Sequence, residues 1–217
     1  DETMRALDDL ARAGKVRYSG CNNLFAWQVV KMNSAASARG LGTFISGQYL
    51  YNLLRRDVER EILPACDDQG MGLLCWSPLA SGMLTGKYRG QETPDPTSRI
   101  GQRSGIDVPR YWKDESFKVV EEVAAVAKDE GKSASQVALA WLLRDRRVAA
   151  VLTGVRNLTQ LEDNCVVGDW DLPEAQRDRL TRALPLQHGY PKEWMDLSFP
   201  GNQGQEEFAP AHSQRLP

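Results

Sequence analysis

The sequence predicts an α/β fold in which helices separate the strands of a parallel sheet. Segments with apolar residues at helical spacing alternate with short segments rich in β-branched and aromatic residues. Several of the helical segments end in Gly, a common helix stop. The connections between the predicted strands are long enough to contain a helix, and such crossover connections join parallel strands. We therefore expect the strands to be buried on both faces.

The first half of the chain predicts three strands, each preceded by a helix. The opening helix carries Met4, Leu7 and Leu10 on one face and ends at Gly14. In chain order, the predictions are a helix over 1–15, a strand over 16–20, a helix over 24–40, a strand over 43–54, a helix over 57–70 and a strand over 71–78. These elements give the alternation that a parallel sheet with crossover helices requires.

The second half predicts a long polar loop, two consecutive helices, a fourth strand and two closing helices. In chain order, the predictions are a loop over 89–105, helices over 115–131 and 133–147, a strand over 148–154, and helices over 157–167 and 172–184. Ser133 is a candidate N-cap, and Trp27 and Trp141 lie on apolar helical faces that we expect in the core. From Gln187 the chain is rich in Pro, Gly and Gln, which predicts an extended or partly disordered tail.

Composition argues against several classes of function. The 27 Lys and Arg residues against 29 Asp and Glu residues give a net charge of −2, which provides no basic surface for nucleic acid or an anionic membrane. No apolar run approaches the roughly 18 residues of a membrane helix. The four cysteines form no CxxC pair. This pattern favours buried free thiols in a reducing compartment, the cytoplasm, over a disulfide framework or a metal site.

Polar side chains collect at the ends of the four predicted strands, in SGCNN, SGQYLYN, CWSPLASG and LTGVRN. Chemistry in parallel α/β folds is concentrated where strands end and the following loops begin. The groups at these edges are the amides of Asn22, Asn23 and Gln48, the indole of Trp76, the hydroxyl of Ser77, and the Gly154–x–Arg156 pair. Side-chain amides can exchange hydrogen bonds with a carboxamide, and an indole can stack on a flat ring. A Gly–x–Arg sequence before a helix can bind a phosphate group. This combination suggests a nicotinamide dinucleotide.

At these edges the chain resembles a known family. The motifs GKVRYSGCNN, SGQYLYNLLRR, CWSPLASGMLTGKY and VLTGVRNLTQLEDN look like the second half of an NADPH-dependent aldo-keto reductase. The resemblance is strongest to the branch that contains bacterial reductases and potassium-channel beta subunits. Members of that family fold as a (β/α)8 TIM barrel. The resemblance therefore implies that residues 1–184 supply strands five to eight with their helices, and that residues 185–217 form a C-terminal tail.

The resemblance also implies roles for individual residues toward NADPH. Asn22, Asn23 and Gln48 would hold the nicotinamide carboxamide, although the first is commonly Ser in the family, and Trp76 would stack on the ring. The loop over the pyrophosphate would contain Ser77, Leu79, Ser81, Gly82 and Leu84, with Lys87 and Arg99 as nearby basic residues. The adenosine end would be held by Gly154, Arg156, Gln160, Asp163 and Asn164. Of these, Asn164 would face the adenine, and Asp163 is often Glu in relatives. Arg156 would face the 2′-phosphate, and a guanidinium at that place favours NADPH over NADH.

No catalytic residue is assigned in this chain. The family reaction uses a Tyr as proton donor, with Lys, His and Asp nearby, and all four come from the first half of the barrel. The two histidines, His188 and His212, lie in the tail, and no Tyr aligns with the proton donor. The chain as given lacks the catalytic half of the barrel, so it is expected to be inactive if it acts alone.

Half a barrel would leave strand edges unpaired. We therefore expect the missing half-barrel on the same or another chain, or self-pairing. The predicted function is NADPH-dependent reduction of a small aldehyde or ketone. The alternatives are a non-catalytic NADP(H)-sensing regulatory subunit and an inert truncated product.

Overall fold

The structure is a computed structural model that describes residues 1–89 and 92–198. Its helices and strands follow one another largely in the predicted order. They are α1 (Glu2–Arg12), β1 (Ser19–Asn22), α2 (Ala26–Ser37), β2 (Phe44–Leu50), α3 (Ile62–Asp68), β3 (Gly72–Trp76), α4 (Arg99–Gln102), α5 (Ser104–Tyr111), α6 (Asp114–Asp129), α7 (Ala134–Leu143), β4 (Val148–Leu152), α8 (Leu158–Cys165), α9 (Glu174–Ala183) and α10 (Lys192–Ser198). Short 3-10 turns occupy Asp57–Glu59, Ala80–Thr85 and Val166–Gly168.

The four strands form one parallel sheet in the order β1-β2-β3-β4. In the parallel pair β1 and β2, Asn22 lies opposite Gln48 and Cys21 lies opposite Gly47. The predicted α/β class with a parallel sheet is thus confirmed. That these strands are the second half of a (β/α)8 barrel stays a prediction from the resemblance.

Some predicted elements differ from the structure. The helix expected over 57–70 is a 3-10 turn followed by the shorter helix α3. The loop expected over 89–105 ends early, because Ser98 caps α4 by accepting a hydrogen bond from the Gly101 N–H at 3.1 Å. Four residues of α4 are too few to show helical periodicity in the sequence. Trp27 is 63% exposed, so its placement in the core was wrong, whereas Trp141 is buried as predicted.

The tail contains a helix that the sequence did not predict. Lys192–Ser198 form α10 where extended chain was expected. The remainder of the predicted tail, including His212, lies outside the described residues. None of the helices in the described ranges 1–89 and 92–198 combines the length and the hydropathy that crossing a membrane would need.

The chain divides into two compact units. The first contains Asp1–Gln48, Asp57–Leu73 and the described chain from Leu186 onward; the second contains Tyr49–Arg56 and Leu74–Pro185. In the first unit, the side chain of Asn33 is 2% exposed and holds the start of β2. Its Oδ1 accepts from the Phe44 N–H at 3.0 Å, and its Nδ2 lies 3.5 Å from the Phe44 carbonyl oxygen. This pairing satisfies backbone groups that burial would otherwise leave without partners.

The second unit is built around α6 and α7. Val119, Val123 and Val126 are fully buried, as their spacing on α6 predicts. Ser133 is the N-cap of α7 and forms a capping box with Gln136, which confirms the predicted start of this helix. Nearly the whole of α7 is buried, so this helix is the centre of the core of the unit.

The cysteines are free thiols, of which Cys21, Cys66 and Cys75 are buried and Cys165 is exposed. Burial raises the pKa of the Cys75 thiol to about 12, and the negative charge of Asp145 acts in the same direction. Cys75 therefore stays protonated as well as inaccessible at neutral pH. A thiol in this state is a packing residue rather than a nucleophile.

Thiol labelling should follow this division. We expect a thiol reagent at mildly alkaline pH to modify Cys165 in the folded protein, and the other cysteines only after unfolding, because the thiolate is the reactive species. Mass spectrometry of peptides from protein labelled with and without denaturant measures the pattern. Rapid modification of Cys75 in the folded state would contradict the burial of β3.

Candidate functional site

A cavity of about 700 Å³ lies in the second unit beside the last residues of β3 and β4, Trp76 and Leu152. Most of the residues that the sequence predicted for a cofactor in this unit line it. They are Trp76, Ser77, Leu79, Ser81, Gly82, Lys87, Arg99, Gly154, Arg156, Gln160, Asp163 and Asn164. Leu84 does not line the cavity, because its side chain is fully buried. It supports the loop from within the core.

The amides predicted for a carboxamide lie together in the first unit. Asn22 and Gln48 are the register partners at the carboxyl ends of β1 and β2. The Asn23 N–H donates to the Gln48 carbonyl oxygen at 3.2 Å, and Asn23 has a left-handed φ of 54°. Asn22 and Asn23 are exposed, and Gln48 is half-buried. Their role toward a nicotinamide stays a prediction from the resemblance.

The loop that follows β3 has an unusual backbone. Ser77, Ala80 and Ser81 have φ values of 54°, 50° and 56°, in the left-handed region that residues other than Gly seldom adopt. Such conformations persist where the surrounding structure holds them. The amide of Asn52 donates to the Ser77 carbonyl oxygen at 2.9 Å, and the Thr85 hydroxyl donates to the Gly82 carbonyl oxygen at 2.7 Å. These bonds fix the wall of the cavity in one conformation.

Gly82 is required by both its backbone and its surroundings. Its φ is 90°, and a Cβ atom there would lie 2.8 Å from Cε and Nζ of Lys87. The Lys87 ammonium group also lies 4.8 Å from the centre of the Tyr88 ring. The absence of a side chain at Gly82 therefore lets a cation lie directly against the loop.

Basic side chains dominate the charge of the cavity. Its lining contains Lys87, Arg99, Arg103, Arg110 and Arg156 against the carboxylates Asp107 and Asp163. Basic side chains in a concave site attract anions and bind phosphate groups by charge-assisted hydrogen bonds. The lining thus suits a ligand with several negative charges.

The carboxylate of Asp163 is already engaged by α7. One oxygen accepts from the Ser133 hydroxyl at 2.8 Å, and the other accepts from the Gln136 amide at 3.0 Å. Asp163 therefore joins α8 to the start of α7. The predicted contact of Asp163 with adenosine stays a prediction. Because both carboxylate oxygens already accept hydrogen bonds, fewer lone pairs are left for a ligand.

The loop between β4 and α8 places the remaining predicted residues. The Gln160 side chain accepts from the Arg156 N–H at 3.0 Å, and Asn157 caps α8 by accepting from the Gln160 N–H at 3.0 Å. Arg156 is exposed at the cavity wall. Asn164 also lines the cavity and is 9% exposed. Its side-chain amide can offer both a donor and an acceptor to a ligand in the cavity.

Several residues of the cavity were missed by the sequence analysis. Among them are Thr85, Arg103, Asp107, Arg110 and Ser135. A signal for some of them exists in the sequence, because Arg99, Arg103 and Asp107 follow one another at intervals of four, the spacing of one helical face. The prediction of a polar loop over this stretch concealed that spacing.

A second cavity, of about 280 Å³, lies in the first unit near the amino ends of β1 and β2. Its lining includes Ser19 and Ile45 and none of the predicted site residues. Ligands of parallel α/β sheets bind outside the carboxyl ends of the strands. We therefore take the larger cavity as the candidate site.

Comparison with known proteins identifies the group to which this chain is related. The model of the aldo/keto reductase family matches residues 1–185. An aldo-keto reductase of Fusarium vanettenii is 38% identical over 191 residues, which are 86% of this chain and 50% of that protein. The uncharacterized oxidoreductase YrpG of Bacillus subtilis is 34% identical over 75% of this chain and 47% of its own length. Norsolorinic acid reductase B of Dothistroma septosporum is 34% identical over 88% of this chain and 47% of its own length. The chain thus spans about half the length of these curated relatives, and it belongs to the aldo/keto reductase family.

Proposed function

We propose that the protein is an NADPH-dependent oxidoreductase that reduces an aldehyde or a ketone to an alcohol. The observation that carries this proposal is the cavity at the ends of β3 and β4, whose lining contains five basic side chains together with Trp76 and Asn164. Membership of a family whose relatives are named as reductases supports the reaction class. NADPH as the specific cofactor is our inference from the site residues.

The cavity fits a dinucleotide phosphate in size and in chemistry. Its volume of about 700 Å³ lies in the range of sites for small molecules and cofactors. Lys87 against Gly82 places a cation where the small residues of the loop leave the backbone accessible. Arg156, in the loop between β4 and α8, also lines the cavity. Its guanidinium binds a phosphate dianion more strongly than it binds a ribose hydroxyl. Trp76 at the end of β3 offers an indole face for a flat ring.

When bound, NADPH would supply the hydride for the reduction. The described residues of this chain contribute binding and orientation, which in cofactor enzymes is the main task of the protein. The group that donates a proton to the carbonyl oxygen is not among the residues we assign. We propose that the first half of a barrel, on the same or another chain, or a second copy of this chain, completes the site.

Titration of the purified protein with NADPH, followed by nicotinamide fluorescence, tests the proposal. We expect saturable binding by this chain, and loss of nicotinamide absorbance on addition of a panel of aldehydes and ketones once the first half of the barrel is present. Saturable binding without turnover of any carbonyl compound by the completed barrel would favour the regulatory subunit, since a bound cofactor would then have no reaction. Absence of saturable binding would refute the cofactor site and the proposed function with it.

A further inference from the structure

A buried carboxylate links two elements at the wall of the candidate cavity. Asp107 of α5 is 1% exposed. Its Oδ2 accepts from the Ser81 hydroxyl at 2.6 Å and from Nε of Arg103 at 2.8 Å. Its Oδ1 lies 3.7 Å from Nη1 of Arg110. The carboxylate thus connects the loop after β3 to α5 and to Arg103, the residue just before α5.

The bond to Asp107 leaves part of the Arg103 guanidinium available. It uses Nε alone, and within the described chain the two terminal nitrogens of Arg103 have no hydrogen-bond partner. The side chain is 43% exposed and lines the cavity. A guanidinium presents five N–H donors in a fixed fork. One edge is therefore anchored, and the remaining donors are free to bind an anion.

The positive charges at this wall outnumber the single negative charge of Asp107. Asp107 lies between Arg103 and Arg110, so one negative charge faces two positive ones. Two neighbouring residues of the loop connect this group with Lys87, because Ser81 bonds to Asp107 and Gly82 lies against the Lys87 ammonium. Cations from α5, from the start of that helix and from the loop thus lie along one side of the cavity.

We propose that Arg103 binds the pyrophosphate of the dinucleotide and that Asp107 is the positioning residue for its guanidinium. A pyrophosphate carries two adjacent charged groups, and it needs more than one cation at the same place. The side of the cavity with Arg103 and Lys87 provides this, whereas Arg156 comes from the separate loop between β4 and α8. The proposal rests on the proposed function and adds to it a residue that the sequence did not assign.

Arg103→Gln tests the binding role. Its affinity for NADPH and for NADH should each fall roughly tenfold or more, because one charge-assisted contact to a pyrophosphate is lost in both. Its affinity for adenosine 2′-phosphate, which has no pyrophosphate, should stay within about twofold of the wild type. Competition against a fluorescent nucleotide measures all three ligands. Arg103→Lys keeps the charge without the fork and should recover part of the affinity.

The outcomes separate this inference from the proposed function. Unchanged affinity of Arg103→Gln for NADPH, with binding by the wild type intact, would overturn the inference alone. An equal loss for adenosine 2′-phosphate would also overturn it, since that result indicates general damage to the cavity. A wild-type protein that binds none of the three ligands would overturn both. Arg146→Gln is the matched control, because Arg146 is exposed and does not line the cavity.

A double-mutant cycle tests the positioning role of Asp107. Asp107→Asn should weaken NADPH binding less than Arg103→Gln does, and the double variant should bind about as weakly as Arg103→Gln alone. Such non-additivity is expected only if Asp107 acts through Arg103, and a purely structural role would give additive losses. Tighter binding by Asp107→Asn would refute the positioning role, since the carboxylate would then compete with the ligand. Thermal unfolding without ligand verifies that each variant is folded.

Discussion

Arg156→Gln is expected to remove most of the preference for NADPH over NADH that we propose for the protein. Arg156 is exposed at the cavity wall, and its backbone N–H is fixed by Gln160 at 3.0 Å, so the side chain projects from a defined point. Loss of a charge-assisted hydrogen bond of about 1.5–3 kcal/mol corresponds to a roughly ten- to hundredfold weaker affinity for NADPH. NADH has no 2′-phosphate, and its affinity should change little.

The ratio of the two dissociation constants is the quantity to measure for this variant. Arg156→Lys should lie between the wild type and Arg156→Gln, because an ammonium keeps the charge but cannot form a bidentate contact. Arg103→Gln is the complementary comparison, since its losses for NADPH and NADH should be equal. Equal losses for both dinucleotides in Arg156→Gln would show that this guanidinium does not bind the 2′-phosphate.

The sequence predicted the regular elements best where their periodicity extends over many residues. In α6, three valines at helical spacing are all buried, and in α7 the Ser133 cap begins the helix as expected. Trp27 shows how the same reasoning fails. The buried stripe of α2 runs through Val29, Asn33 and Ala36, and Trp27 lies away from it. Because the centre of that stripe is a polar residue, hydrophobicity alone selected the wrong face.

The site was predictable in part for a related reason. Trp76 ends β3 and Gly154 follows β4, and topology requires that the carboxyl ends of parallel strands lie at one edge of the sheet. Arg103 and Asp107 come instead from short helices within a polar segment, where local sequence gives little indication of structure. A buried carboxylate such as Asp107 becomes recognisable only when the partners that compensate its charge are placed in space.

The role of Asn52 was not predicted for the same reason, although Asn52 lies in the segment SGQYLYN at the end of the second predicted strand. Its side chain is completely buried. Its Nδ2 donates to the Ser77 carbonyl oxygen at 2.9 Å and lies 3.5 Å from the Tyr111 hydroxyl, and its Oδ1 accepts from the Leu54 N–H at 3.0 Å. One amide thus satisfies backbone groups in two segments. It also holds the left-handed Ser77 at the entrance of the loop.

Asn52→Ala is therefore expected to lower the free energy of unfolding by about 1–3 kcal/mol, because it leaves the buried Leu54 N–H without its acceptor and removes one of the two donors to the Ser77 carbonyl oxygen. The folded fraction should also bind NADPH more weakly, since the Ser77 carbonyl oxygen loses one of its two hydrogen bonds and the left-handed conformation of Ser77 is held less firmly. Urea denaturation measures the first effect, and titration under native conditions measures the second.

Two variants separate the role of Asn52 in the loop from its role in stability. Asn52→Asp keeps the acceptor for Leu54 but places an oxygen against the Ser77 carbonyl oxygen, so it should impair NADPH binding as Asn52→Ala does. Asn33→Ala removes an equally buried amide from the first unit and should lower stability while leaving the affinity of the folded protein for NADPH unchanged. If Asn33→Ala weakened NADPH binding as much as Asn52→Ala, the effect would follow from lost stability. A selective loss in the Asn52 variants would instead show that one buried amide sets the conformation of the cofactor loop.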